Sequence, residues 1–169
     1  CKSENGGGGA IYIKNTIDVK NEINLELIDF IENGAIYGGA IYTYTESRTN
    51  PITIKNCQFL RNEAFIIENY NSELNGGSAV FLTSKSKSLV SSCTFSKNKG
   101  KGSAFKIYNK FDPSSSLMLQ NDDVNENSLT ISKCSFEIEE ESTCSIYYIG
   151  NKNGISVNVN KCSFSGVLG

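Results

Sequence analysis

The sequence predicts an all-β fold, a single-stranded right-handed parallel β-helix of about five coils, and three observations carry that expectation. One phrase returns five times: an apolar residue, two spacers, Cys or Ile, one spacer, Phe. It reads Leu25/Ile28/Phe30, Ile54/Cys57/Phe59, Val90/Cys93/Phe95, Ile131/Cys134/Phe136 and Val159/Cys162/Phe164. The phenylalanines fall 29, 36, 41 and 28 residues apart, a period typical of stacked solenoids, in which each repeat buries its apolar face only against its neighbours. The apolar spacing is two rather than 3.6, and β-branched and aromatic residues dominate the runs, so strands are expected and helices are not. Handedness follows from the strong preference of crossovers between parallel strands for the right-handed sense.

The elements follow in order. A second phrase precedes each copy of the first: Gly8-Gly9-Ala10-Ile11-Tyr12, Gly38-Gly39-Ala40-Ile41-Tyr42, Gly76-Gly77-Ser78-Ala79-Val80-Phe81, Gly102-Ser103-Ala104-Phe105 and the degraded Cys144-Ser145-Ile146-Tyr147. Glycine there supplies a corner with positive φ, and the alternating apolar residues after it suit a strand with one face inward. Each coil thus carries two strand signals. Segment 23 to 33 is the nearest helical candidate, but Leu25, Ile28 and Phe30 fall in the repeat register, so it reads as strand. Within the first phrase, Ile52 and Ile54 share one parity and Cys57 and Phe59 the other. A bend is therefore expected at Lys55-Asn56, where Asn tolerates the left-handed region. Two stretches break the rhythm, near 60–76 and 109–128, and read as inserts of a single domain spanning 1–169.

Composition narrows the function. The net charge is −2 with a pI near 5.3, so no basic stripe exists to attract nucleic acid or anionic lipid. No apolar run reaches the roughly 18 residues of a membrane span. The chain opens at Cys1 without a charged-then-apolar leader, which reads as a processed chain or an excised fragment. None of the 20 asparagines begins an N-x-S/T sequon, although chance would give roughly three to four.

Alternation of Gly-Gly-Ala-Ile (8–11, 38–41) with Phe-x-x-Asn starting at Phe30, Phe59 and Phe95 resembles the repeat signature of the chlamydial polymorphic membrane protein family, also found in some protist repeat proteins. The likeness covers about residues 6 to 164. It implies a right-handed parallel β-helix displayed on a surface, with an adhesive or coating role. Two departures stand out: Glu139 and Val167 occupy the Asn position of the last two coils, and no barrel-forming region follows within the 169 residues.

Candidate residues follow from the repeat. Cys57, Cys93, Cys134 and Cys162, with Phe30, Phe59, Phe95, Phe136 and Phe164, are expected to stack as structural ladders, the cysteines as buried free thiols, since Ile28 fills the same slot and a free Cys packs as a small hydrophobe. Cys1 and Cys144 lie outside that set and are candidates for pairing with another chain. Tyr12, Tyr37, Tyr42, Tyr44, Tyr108, Tyr147 and Tyr148 cluster on the Gly-Ala strands. Facing outward, they would form an aromatic strip for sugar rings or a partner protein; they serve equally well as packing within the scaffold.

An enzymatic reading has little to draw on. Polysaccharide lyases and hydrolases of β-helical fold need clustered carboxylates, a basic residue or paired aspartates. Here His is absent, Arg occurs only at Arg48 and Arg61, and of Asp18, Asp29, Asp112, Asp122 and Asp123 only the last two adjoin. Glu137 with Glu139–Glu141, and Lys97, Lys99 and Lys101, read as charged corners. No cofactor or metal site is expected: there is no CxxC and the Cys spacings are of repeat length. The expectation is thus a non-enzymatic structural or adhesive module, extracellular or on the cell surface, that self-associates or meets proteins or glycans. Coils that expose apolar core and unpaired strand edges at both ends would allow end-to-end filaments. A polysaccharide-acting enzyme is the alternative.

Overall fold

A computed structural model describes residues 1–16, 20–46, 49–65, 76–100, 103–109, 128–138, 144–150 and 155–166. Among these residues there is no helix. In chain order the strands are β1 (Lys2–Gly7), β2 (Ile11–Asn15), β3 (Ile23–Glu26), β4 (Asp29–Ile31), β5 (Gly34–Tyr37), β6 (Ile41–Thr45), β7 (Ile52–Lys55), β8 (Gln58–Leu60), β9 (Glu63–Ala64), β10 (Val80–Ser84), β11 (Ser88–Ser91), β12 (Thr94–Ser96), β13 (Lys99–Gly100), β14 (Ser103–Asn109), β15 (Ser128–Ser132), β16 (Ser135–Ile138), β17 (Cys144–Gly150), β18 (Ser156–Asn160) and β19 (Ser163–Gly166).

They form four stacked sheets, ordered β1-β5-β9-β13, β2-β6-β10-β14-β17, β3-β7-β11-β15-β18 and β4-β8-β12-β16-β19. Every pairing is parallel, and the chain visits the sheets in the same cyclic order, with no first-sheet strand between β16 and β17 among the described residues. The Gly-Ala-Ile phrase builds the second sheet. The Cys-x-Phe phrase splits between the third and fourth sheets. The first sheet was not anticipated: β9 and β13 are only two residues long, β5 is four, and the six residues of β1 are mostly polar or glycine, so none carries a readable periodicity.

The split has a local cause. Leu27, Asn56, Ser92, Lys133 and Lys161, each just before the Ile or Cys of the phrase, all have φ between 52° and 58°. One left-handed residue reverses the parity, so that Ile54 and Phe59 both point inward. Asn56 is where the sequence places the bend; Leu, Ser and Lys at the equivalent positions mean that the stack imposes the geometry at a cost of roughly 1–2 kcal/mol per residue. A second left-handed corner recurs at Glu32, Arg61 and Lys97, one residue before the Asn of Phe-x-x-Asn. The glycine corner is also present. Gly38 has φ +61, and a Cβ on Gly39 would lie 2.1 Å from the Ser78 carbonyl oxygen, so the turns pack too closely for any side chain.

The core lies between the sheets. Leu25, Ile54, Val90, Ile131 and Val159 align in the third sheet. In the fourth, the rings of Phe30, Phe59, Phe95, Phe136 and Phe164 stack with successive centroids 4.9, 4.7, 4.6 and 5.2 Å apart, within 8° of parallel. Burial of each inner ring contributes about 1.5–3 kcal/mol, and each stacked pair about 0.5–1.5 more. The two extremes of this stack differ: Phe30 is 3% exposed and Phe164 is 53% exposed.

Candidate functional site

On the face opposite the core, the second sheet carries the row Tyr12, Tyr42, Phe81, Lys106 and Tyr147, in direct register across five strands; Tyr12 and Tyr147 at its extremes are exposed, whereas Phe81 and Lys106 at its centre are buried. Beside it, Lys14 pairs with Tyr44. Tyr12 stacks on Tyr42 at 5.1 Å and 16°, Tyr42 tilts on Phe81 at 5.3 Å, and Tyr37 from the first sheet leans on both. Tyr108 packs on Phe81 at 5.9 Å. The Lys106 ammonium lies 5.7 Å from the Phe81 centroid and 5.4 Å from that of Tyr147, within cation–π reach. Tyr148 has the opposite parity, in register with the buried Ile107, and its hydroxyl donates to the Ile155 carbonyl at 3.5 Å.

At one edge of this row is a groove of about 250 Å³ lined by Tyr12, Lys14, Thr16, Tyr42, Tyr44 and Glu46. The Tyr44 hydroxyl donates to Glu46 Oε1 at 2.6 Å. Partial burial, then this bond and the charge of Glu46, push the Tyr44 phenol up to about 12. Burial and the neighbouring phenols of Tyr12, Tyr37 and Tyr44 push Tyr42 up as well. Both phenols are neutral donors at ordinary pH. The groove thus offers aromatic carbon, phenol hydroxyls, one ammonium and one carboxylate, with no net charge. The tyrosines were legible in the sequence; Lys14 and Glu46 were not, because only the parallel register brings residues 32 positions apart together.

The predicted ladder residues lie at equivalent places. Each of Cys57, Cys93, Cys134 and Cys162 lies within hydrogen-bond reach of two carbonyl oxygens, one two residues earlier and one from the preceding circuit: Lys55 and Leu25 for Cys57, Ser91 and Ile54 for Cys93, Ser132 and Val90 for Cys134, Asn160 and Ile131 for Cys162. No disulfide joins the six cysteines; Cys57, Cys93 and Cys134 are buried, Cys162 and Cys144 are partly open and Cys1 is exposed. Cys1 is tied down all the same: its amino group donates to Asn33 Oδ1 at 3.1 Å and its carbonyl accepts from Gly34 N at 2.9 Å.

A second polar column went unread in the sequence. The Asn33 side chain donates to Asn62 Oδ1 and the Asn62 side chain to Asn98 Oδ1, each at 3.0 Å. The backbone N–H of Asn33 and of Asn62 donates to the same two oxygens, at 3.0 and 2.9 Å. The Nδ2 groups of Asn62 and Asn98 also donate to the carbonyls of Phe30 and Phe59. This is the physical content of the Phe-x-x-Asn motif: the amide satisfies a buried corner that backbone pairing cannot reach.

The charged candidates disperse. Asp29 lies exposed on β4, Arg61 pairs with Glu32 at 2.8 Å, and Glu137 accepts from the Ser96 hydroxyl. Lys97 is a corner residue and Lys99 lies on β13. Asp18, Arg48, Lys101, Asp112, Asp122, Asp123, Glu139–Glu141 and Val167, and inserted residues 66–75 and 110–127, lie outside the described residues. Among the described residues no three of Cys, Asp and Glu gather as metal ligands, and no helix is long and apolar enough to cross a membrane. Comparison of the chain with family models, curated proteins and solved structures found no match.

Proposed function

We propose that this chain is a non-enzymatic adhesive or structural module, a right-handed parallel β-helix of about five coils that displays recognition groups at a cell surface or outside the cell. The observation supporting this reading is the tyrosine groove on the outer face of the second sheet. Tyr12 packs one ring face on Tyr42 and is otherwise exposed, leaving aromatic surface for the apolar side of a sugar ring. The Tyr44 and Thr16 hydroxyls, Lys14 and Glu46 surround it with donors and acceptors. The balance of one cation and one anion favours a neutral polyol. At about 250 Å³ the groove is smaller than the roughly 300–1,000 Å³ of sites that enclose a whole small ligand, so it suits one ring of a longer neutral glycan. Incubation with a panel of neutral and acidic polysaccharides, reading both retention and released products, tests the reading: retention of neutral glycans without cleavage is expected, and product release would replace adhesion with the polysaccharide-acting enzyme.

Association of copies is a second reading, favoured by the edge formed by β17, β18 and β19, where Tyr147, Val159 and Phe164 are exposed. Phe30, at the opposite extreme of the phenylalanine stack, is buried. Light scattering of the wild-type chain beside Phe164→Ser tests it: a larger mass that Phe164→Ser abolishes supports assembly through this edge, and an unchanged mass refutes it.

A further inference from the structure

Two opposite charges face the tyrosine groove without meeting. Lys14 lies across from Tyr44 in the pairing of β2 with β6, and Glu46 follows two residues on, where its backbone N–H donates to the Asn15 carbonyl. Paired strands lie roughly 4.8 Å apart and rise about 3.3 Å per residue, so the Lys14 and Glu46 backbones are about 8 Å apart on the diagonal. Both side chains line the groove. The ion pairs among the described residues are Lys55–Glu26 and Arg61–Glu32, and none joins Lys14 to Glu46. The Tyr44 hydroxyl donates to Glu46 Oε1 at 2.6 Å, which fixes the carboxylate beside Tyr44 and leaves Oε2 to accept. The groove therefore presents a strong donor and a strong acceptor that are spaced apart and not spent on each other.

We propose, resting on the reading that this groove binds a neutral glycan, that the ring it takes is an N-acetylhexosamine and that Lys14 and Glu46 select it. A secondary amide carries a carbonyl acceptor and an N–H donor on opposite sides, and two hydrogen bonds of about 2.9 Å each let it bridge groups spaced in this way. The acetamido carbonyl accepts from the Lys14 ammonium, and the acetamido N–H donates to Glu46 Oε2. The acetamido methyl and the apolar face of the pyranose rest on the aromatic carbon of Tyr12 and Tyr42. A hydroxyl in the same place on the ring reaches one of the two charged groups and leaves the other to water. Discrimination thus comes from one additional charge-assisted hydrogen bond. An extended peptide carries the same amide, but it docks by pairing along a strand edge, whereas Tyr42, Tyr44 and Glu46 open the groove on the face of the sheet.

The test is calorimetric titration of the folded chain with two β-1,4-linked tetrasaccharides that differ only at the 2-position: chitotetraose, with an acetamido group on every ring, and cellotetraose, with a hydroxyl there. N-acetyl-triglycine amide serves as the peptide probe. Chitotetraose is expected to bind at least about tenfold more tightly than cellotetraose, the worth of one hydrogen bond to a charged group. Lys14→Met and Glu46→Ala, each checked for native circular dichroism, should each bring the ratio of the two affinities to within about twofold of one. Equal affinities in the parent chain overturn the proposal and leave glycan binding standing, whereas no affinity for either sugar overturns both. A preference for chitotetraose that survives in both variants, or tighter binding of the peptide amide than of chitotetraose, also overturns the proposal.

Discussion

Replacing Asn62 by Ala removes the centre of the asparagine column. Asn62 is fully buried and its side chain makes four hydrogen bonds: it accepts from Asn33 N and Asn33 Nδ2 and donates to the Phe30 carbonyl and Asn98 Oδ1. Truncation leaves two donors of Asn33 without an acceptor in a corner closed to water. At roughly 1–3 kcal/mol for each buried group left unsatisfied, the cost lies between about 2 and 6 kcal/mol, and about 3–4 is expected because Asn98 Oδ1 keeps the Asn62 backbone N–H as a partner. That is a large part of the roughly 5–15 kcal/mol that holds an ordinary domain together. Urea denaturation followed by far-UV circular dichroism measures it, with Gln58→Ala, exposed on β8, as a control expected within about 0.5 kcal/mol of the parent. Asn62→Asp adds a sign test. Its carboxylate would face the Phe30 carbonyl and Asn98 Oδ1, so its folded pKa is raised above the unfolded value of about 3.9. The carboxyl's contribution is then present below about pH 4 and lost as pH rises through the folded pKa. Asn62→Asp should therefore be weakest near neutrality and recover in acid. If Asn62→Ala costs no more than Gln58→Ala, the column carries no weight and the reasoning fails.

Four further outcomes follow from the same geometry. Phe95→Ala, removing a fully buried ring stacked on both sides, should cost about 3–5 kcal/mol, and Phe164→Ala, half exposed, less than about 1.5, in the same denaturation assay. Leu27→Asn should stabilise by about 0.5–1 kcal/mol, because Leu27 is 78% exposed at φ 58 and Asn tolerates that conformation; a lower unfolding midpoint would contradict the left-handed corner. Thr43→Val should stabilise by about 1 kcal/mol, since the buried Thr43 hydroxyl has no hydrogen-bond partner among the described residues and a methyl group of the same shape needs none. Tyr44 should ionise near pH 12 in a spectrophotometric titration, and Glu46→Gln should bring it down; because its folded pKa is raised above the unfolded value of about 10, its stabilising contribution is complete below pH 10 and is lost as pH climbs through about 12.

How far the sequence speaks can be judged from particular residues. The parallel strands around Phe59 and Phe95 were legible because a large apolar residue recurring once per repeat has only its counterparts to pack against. The corner at Asn56 was legible because the inward parity changes across it. Its equivalents Leu27 and Lys133 were not, since neither residue favours positive φ and only the stack demands it. The asparagine column was visible as a motif without a reason, because its bonds run between residues 29 and 36 positions apart. The groove shows the same limit: Tyr44 and Glu46 are neighbours in sequence, but Tyr12 and Lys14 join them only through the pairing of β2 with β6.

The most direct measurement of the functional account is an NMR titration of the chain, labelled at its tyrosine rings, with soluble neutral oligosaccharides. The account predicts saturable shifts of Tyr12, Tyr42 and Tyr44, with Tyr147 and Tyr148 unmoved and the shifts abolished in Tyr12→Ala. Shifts that spread over all tyrosines, or none at any sugar concentration, would contradict it.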